Sequence, residues 1–325
     1  MIKNILITGE SGFIGSHLLR CFVNKYSDYM IHGLDSLTYA SNRIFNKELE
    51  IKNNYKFHQI DIRNREEVIK LFESEKYTDV IHLAAESHVD NSIENPLIFA
   101  ETNVLGTLNL LDAFRKYSTG RFHHVSTDEV YGDLEINDSA FDETTSYNPS
   151  SPYSASKAAS DHFVRAYHRT YGIDIIITNC SNNFGPHQHQ EKFIPTIIKC
   201  ILESRNIPIY GKGDNIRDWL YVQDHVDAID KVFHEGNRGE TYNVGGNNEL
   251  TNLDLVYKIC DIMVDKGYCL DNPRKLISFI KDREGHDLRY AINSHKINSE
   301  LDWEPRFKFL DVLSSTIDWY VDYLK

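Results

Sequence analysis

From its first residues the chain alternates short runs rich in Ile, Val, Leu and Phe with longer stretches whose apolar positions recur at helical spacing. The runs predict strands over 5–8, 30–34, 56–60, 80–83, 122–126 and 173–179, and the helical stretches predict helices over 15–24, 66–75 and 102–117. Regular β-α alternation implies a parallel sheet with helices on both faces, joined by right-handed crossovers. Runs such as Ile175–Thr178 are apolar on both faces, as a sheet covered on both sides requires.

After Asn179 the rhythm breaks. The Gly-, Pro- and Asn-rich stretch 181–195 predicts a loop, followed by a helix, short strands near 207–210 and 219–221, and another helix. The expected fold class is therefore α/β: a doubly wound parallel sheet of the Rossmann type over 1–180, with a smaller C-terminal substrate-binding lobe over 181–325. One return strand near 240–244 is expected to rejoin the first sheet. The aromatic-rich stretch 307–324 reads as an amphipathic packing helix. Without repeats or linker-like segments, the two lobes are expected to pack intimately.

Bulk properties narrow the function. A chain of 325 residues can bury a sizeable core, and its net charge of −13 argues against a nucleic-acid partner, which needs a basic face. A small anionic ligand remains open, because local cations and backbone amides suffice for it. The five cysteines are scattered and never form a C-x-x-C pair, so neither a disulfide framework nor a zinc site is expected. His123-His124 and His187-x-His189 lack a completing ligand at metal spacing, so no metal is expected there. The N-terminus lacks a signal-peptide pattern, and no run approaches the roughly 18 apolar residues of a spanning helix. The expectation is a cytoplasmic protein with no membrane partner.

The first strand runs into Gly9-Glu10-Ser11-Gly12-Phe13-Ile14-Gly15 and then an amphipathic helix. In that setting Gly9 permits the tight turn, Gly12 lets the backbone approach a pyrophosphate, and Gly15 lets helix and strand pack closely. Asp35 ends the second strand, where an acid accepts hydrogen bonds from ribose hydroxyls and repels a 2′-phosphate, which favours NAD over NADP. Phe13, Ile14, Ser36 and Thr38 flank these positions as further cofactor contacts. Asp61-Ile62 ends the third strand, where the adenine is expected, and Leu83-Ala84-Ala85 ends the fourth, where the cofactor is expected to cross the sheet.

A second motif, Pro152-Tyr153-Ser154-Ala155-Ser156-Lys157, opens a helix, so that Tyr153 and Lys157 share one face. An ammonium beside a phenol favours the phenolate, so this pair is a plausible base for an alcohol proton during hydride transfer, with both residues at the cofactor as well. The glycine fingerprint followed by Tyr-x-x-x-Lys resembles the extended short-chain dehydrogenase/reductase superfamily. The fifth strand ends in Ser126-Thr127-Asp128-Glu129-Val130-Tyr131-Gly132, which is similar to the retaining nucleotide-glucose 4,6-dehydratases, best known on dTDP-glucose. The segments 82–93, 216–225 and 282–292 resemble the same family.

The resemblance implies a reaction. Tyr153, with Thr127 beside it, takes the sugar O4 proton as C4 is oxidised; Glu129 removes the C5 proton; Asp128 protonates the departing O6; and the hydride returns to C6. Neighbouring carboxyls with separated pKa values suit an elimination that needs acid and base together. It further implies Ser87 at the substrate, Thr102 and Asn183 at the cofactor, and Asn182, Lys192, Arg217, Asn252, Arg283 and His286 along the nucleotide diphosphate of a dTDP- or UDP-hexose. A homodimer is implied as well. This chain departs from the family pattern at Phe184 and His187, where tyrosines are usual, at Ser36, where Lys is common, and at Glu284, where Pro is usual. Two rivals remain, a nucleotide-sugar 4-epimerase and a non-catalytic NAD-binding protein; the Asp128-Glu129 pair argues against both.

Overall fold

A computed structural model describes residues 3–269 and 271–324. Its described strands are β1 (Asn4–Thr8), β2 (Met30–Asp35), β3 (Tyr55–Gln59), β4 (Asp79–His82), β5 (Arg121–Thr127) and β6 (Asp174–Cys180), then β7 (Asn182–Phe184), β8 (Ile207–Tyr210), β9 (Ile216–Tyr221), β10 (Thr241–Val244), β11 (Glu249–Thr251) and β12 (Ile277–Ile280). Seven of them form one sheet in the order β10-β6-β5-β4-β1-β2-β3, and every pairing in it is parallel. The run β3-β2-β1-β4-β5-β6 is the Rossmann order, extended by β10 as the seventh strand.

The absence of alternation within the strands has a direct cause. Ile5, Ile7, Ile31 and Ile81 pack on one face with Leu18 and Phe22 of helix Phe13–Lys25 and with Val226, Ile229 and Phe233 of helix Val222–Glu235. Leu6, Leu34, Val80, Phe122 and Ile175 face the other way, onto Phe72, Leu110, Phe114 and Val164 of helices Arg65–Glu75, Thr107–Tyr117 and Pro152–Tyr171. Both faces are thus covered. The Phe22 side chain is fully buried, and its truncation to Ala costs about 3–5 kcal/mol.

A separate core joins Phe184, Ile194, Ile197, Trp219, Leu255, Ile259, Leu313, Ile317 and Tyr320, brought together by helices Phe193–Leu202, Asn252–Asp265 and Phe309–Leu324. Around it lie a three-stranded sheet, β11-β9-β7, and the pair β12-β8. The chain crosses between the two regions more than once. Helix Val222–Glu235 and β10 belong to the large sheet, and Ile297, Leu301 and Trp303 cover β10.

Two local departures from the sequence expectation have physical reasons. The helix expected over 102–117 begins as a π-turn over Ala100–Gly106. There the Asn103 amide bonds both backbone groups of Glu86 and the Ser156 hydroxyl, which ties this turn to two neighbouring segments. The loop expected over 181–195 contains β7, because β9 offers it a parallel ladder through the pairs from Asn182↔Trp219 to Phe184↔Tyr221.

Candidate active site

The carboxyl ends of β1, β2, β4 and β5 open onto one cleft, and most of the sequence-derived site lines it. Its walls include Gly9, Gly12, Phe13, Ile14, Gly15, Asp35, Ser36, Thr38, Asp61, Ile62, Leu83, Ala84, Ala85 and Thr102 on one side. Ser87, Thr127, Asp128, Glu129, Tyr153, Lys157, Asn182, Asn183 and Lys192 continue the same cleft. Arg217, Asn252, Arg283 and His286 do not line it.

The glycine turn is built for close approach. Gly9 sits at φ +72°, and a Cβ there would lie 2.8 Å from the Ala84 backbone nitrogen. A Cβ on Gly15 would lie 2.0 Å from the Gly9 carbonyl oxygen, so helix and turn pack backbone to backbone. Helix Phe13–Lys25 starts from Gly12 without a side-chain cap, leaving first-turn N–H groups available to an anion. The Asp35 carboxylate, at the end of β2, accepts from Leu37 N at 2.8 Å, Ser41 Oγ at 2.7 Å and Ser11 N at 3.1 Å, which fixes it at the cleft wall. A turn no Cβ could enter, free helix N–H groups and an acid at the second strand end together fit a dinucleotide.

Helix Pro152–Tyr171 owes its start to Ser151, whose hydroxyl accepts from Ser154 N while Ser154 Oγ accepts from Ser151 N, with Pro152 in the first turn. This cap sets Tyr153 and Lys157 against the end of β5. Lys157 Nζ donates to the Val125 carbonyl at 2.9 Å and lies 3.3 Å from His124 Nε2. Behind it, His124 Nε2 is 3.2 Å from Asp161, whose other oxygen accepts from Ser126 Oγ at 2.9 Å and Tyr147 OH at 2.8 Å. Burial alone would raise Asp161, yet the His124 hydrogen bond and the Lys157 charge hold it below its ordinary range. His123-His124 is therefore structural: His123 bonds Thr178 Oγ1 at 3.0 Å, and His124 links Lys157 to a buried carboxylate.

Burial and the Glu129 charge push Tyr153 well above its ordinary value, with the Thr127 hydrogen bond opposing them. Lys157 is itself lowered by burial, and its ammonium is engaged by the Val125 carbonyl rather than by the phenol.

The two carboxyls differ in surroundings. Asp128 is buried, its Oδ2 has no hydrogen-bond partner, and burial followed by Glu129 and Asp218 raises it well above the carboxylate range. Glu129 is also raised by burial, but the cations Arg283, Arg217 and Lys192 oppose that shift. The arrangement favours a proton on Asp128 and a charge on Glu129.

The remaining cations are placed as follows. Lys192 Nζ donates to the Ser87 carbonyl at 3.0 Å. Arg217, though close enough to act on Glu129, gives hydrogen bonds to the carbonyls of Ile216 at 2.7 Å and Asp287 at 2.9 Å and lies over the Tyr290 ring. Arg283 is 3.7 Å from Asp90, and its buried Nε has no partner. His286 bonds Asp282 at 2.6 Å, and burial with the Arg283 charge lowers it to about 4. Asn252 begins helix Asn252–Asp265 and donates its backbone N–H to Asn215.

Of the unusual residues, Ser36 lines the cleft, while the other three lie off it. Phe184 is fully buried against Trp219, Tyr221 and Phe309, while His187 stacks on Phe45 at 3.7 Å and meets His17 and Trp319. Glu284 is exposed. The sequence reading missed Glu86, Gln188, His189 and Glu191, which also line the cleft. It also missed Asp90, which receives the Tyr210 hydroxyl at 3.2 Å beside Arg283. The stretch 82–93 had pointed to this neighbourhood, but only the fold brings Tyr210 to it.

The sequence profile described as GDP-mannose 4,6 dehydratase matches residues 6–316. The chain belongs to this family. Within it, a dTDP-glucose 4,6-dehydratase of Salmonella typhimurium is 49% identical over 334 residues, covering 98% of this chain and 92% of that protein. The crystal structure of DesIV, a dTDP-glucose 4,6-dehydratase from Streptomyces venezuelae with NAD bound, superposes with a TM-score of 0.91 at 41% identity, covering 98% of this chain and 97% of that one. A UDP-glucose 4-epimerase from Thermotoga maritima superposes with a TM-score of 0.89 at 26% identity, over 99% of this chain and 100% of that one. Backbone likeness therefore extends to epimerases, so the fold alone does not separate the two activities.

Proposed function

We propose that this chain is an NAD-dependent 4,6-dehydratase that converts dTDP-glucose to the 4-keto-6-deoxy sugar and water. The observation that carries the reading is the pair Asp128 and Glu129 at the end of β5, one carboxyl buried with a free oxygen and strongly raised, the other beside three cations. An epimerase has no elimination to catalyse and needs no such pair. The dTDP-glucose dehydratases among its relatives supply the substrate.

The Gly9–Gly15 turn and Asp35 would hold NAD⁺, whose chemistry when bound would be to take up the C4 hydride and give it back at C6. Tyr153 takes the O4 proton at its phenol oxygen, and Thr127 steadies that oxygen by its hydrogen bond. The phenol works as a base only when its proton affinity falls, which a nearby positive charge accomplishes. Lys157, tied through His124 to Asp161, keeps an ammonium at the base of the cleft. Once C4 is a ketone, Glu129 removes the acidified C5 proton and Asp128 gives its proton to the departing O6 so that water leaves; as the hydride reaches C6, Glu129 returns a proton to C5, and the proton taken up by Tyr153 is exchanged through solvent to restore Asp128.

Lys192 and Asn182 line the cleft toward the diphosphate, with Ser87 at the substrate and Arg283 close enough to act on Glu129 from outside the lining. Arg217 sits behind them and reaches the diphosphate only if its hydrogen bonds to the Ile216 and Asp287 carbonyls are exchanged. Leu97, Leu105 and Phe163, exposed on adjoining helical segments, support a homodimer through that face. Among the described residues no helix is long and apolar enough to cross a membrane.

The test is the mass of the product from dTDP-glucose and, separately, UDP-glucose. Loss of one water from dTDP-glucose is expected, with slower or no conversion of UDP-glucose. A product of unchanged mass identifies an epimerase and overturns the proposal.

A further inference from the structure

On the far side of the large sheet from the cleft's glycine turn, three side chains converge that the reaction does not use. His32 on β2 and His58 on the edge strand β3 face each other with His32 Nδ1 2.9 Å from His58 Nε2, their rings stacked at 5.2 Å. Glu75, at the end of helix Arg65–Glu75, brings Oε2 to 3.9 Å from His32 Nδ1. One ligand atom from each residue lies within 4.8 Å of the others. We propose that His32, His58 and Glu75 form a site for a divalent first-row transition ion such as zinc, clamping β3 to β2 and to that helix.

The donor set and its spacing support this. Two imidazoles and one carboxylate are the ligands such ions prefer, at about 2.0–2.2 Å, which places ligand atoms about 3.4 Å apart in a tetrahedral site. The observed 2.9 Å and 3.9 Å bracket that separation, and all three ligand atoms lie within 4.8 Å of one another. His32 is buried, and the T-shaped contact with Tyr77 at 4.9 Å fixes its ring. The Lys56 ammonium holds Glu75 Oε1 at 2.7 Å and leaves Oε2 toward the histidines. β3 is an edge strand of the sheet, with only β2 beside it, so a cross-link there stabilises a strand supported from one side.

The test is calorimetric titration of the chelator-treated holoenzyme with zinc chloride. The wild type takes up one zinc per chain and gains thermal stability in zinc. His58→Ala and Glu75→Gln each weaken uptake by at least about tenfold, since loss of even an outer-shell partner costs that much. His189→Ala, which removes a histidine near the different carboxylate Glu191, leaves uptake unchanged. The proposal is overturned if the wild type takes up no zinc, if uptake survives both His58→Ala and Glu75→Gln, or if His189→Ala weakens it equally.

Discussion

Substituting Ala for Gly15 puts the dinucleotide turn under a calculable load. The new Cβ would lie 2.0 Å from the Gly9 carbonyl oxygen, 2.8 Å from its carbon and 3.1 Å from Glu10 Cα, whereas ordinary contact begins at 3.4 Å. The turn must therefore move by more than an ångström, and little around it can yield. Gly9 N is bonded to the Leu34 carbonyl at 2.8 Å. Buried Glu10 is anchored by Asn46 Nδ2 at 2.9 Å and Tyr55 OH at 3.1 Å. Overpacking of this kind costs about 1–3 kcal/mol of stability. An ångström of misplacement at a binding group costs about 100-fold, which is about 2.7 kcal/mol in NAD affinity. Calorimetric titration of cofactor-stripped protein with NAD, alongside thermal unfolding, reads both numbers. Gly12→Ala is the internal control for stability, because its Cβ meets only the Gly9 oxygen at 3.2 Å and the melting temperature should fall less. Gly15→Ala protein that binds NAD within about threefold of wild type would refute the claim that this turn cradles the cofactor.

Tyr153→Phe keeps the ring but removes the proton acceptor, so the fold survives by circular dichroism while turnover falls by about 100-fold or more. Asp35→Ala weakens NAD binding and narrows the preference over NADP, read by titration with each cofactor; equal affinity of the wild type for both contradicts the role of Asp35. Asp128→Asn gives a pH-dependent stability difference. Because the folded carboxyl is raised above 3.8, its stabilising protonated form is lost as pH rises, and Asn does not titrate. The variant's melting temperature relative to wild type therefore climbs from about pH 4 upward, and a difference that is flat with pH contradicts the raised Asp128.

Much of this arrangement was legible in the sequence because its parts are local. The glycine turn, the helix start at Pro152 and the Tyr153–Lys157 spacing each lie within a few consecutive residues, where backbone geometry alone fixes who faces whom. The strand periods likewise gave the sheet and the return strand β10. What escaped depends on contacts between distant segments. The cluster of Lys157, His124 and Asp161 brings a strand and a helix together, and Lys157 donates to the Val125 carbonyl beside it. Arg217 looked like a free diphosphate ligand, yet the Asp287 and Leu288 carbonyls, some seventy residues away, receive its guanidinium. The π-turn at Ala100–Gly106 follows from Asn103 reaching Glu86 and Ser156, which no helical period encodes. The aromatic departures Phe184 and His187 altered packing under the cleft rather than its lining, because their rings turn into the core and toward Phe45.

The division of proton work between Asp128 and Glu129 is the central claim, and exchange of the substrate C5 hydrogen in heavy water tests it most directly. With dTDP-glucose and NAD⁺ present, the Glu129→Gln variant should still reduce the cofactor, because the first oxidation uses Tyr153. It should show no C5 exchange above background, since the group that removes that proton is gone. Asp128→Asn should also reduce the cofactor, keep measurable C5 exchange, and release little dehydrated product. Undiminished C5 exchange in Glu129→Gln, or dehydration at the wild-type rate by either variant, would contradict the assignment of the two carboxyls.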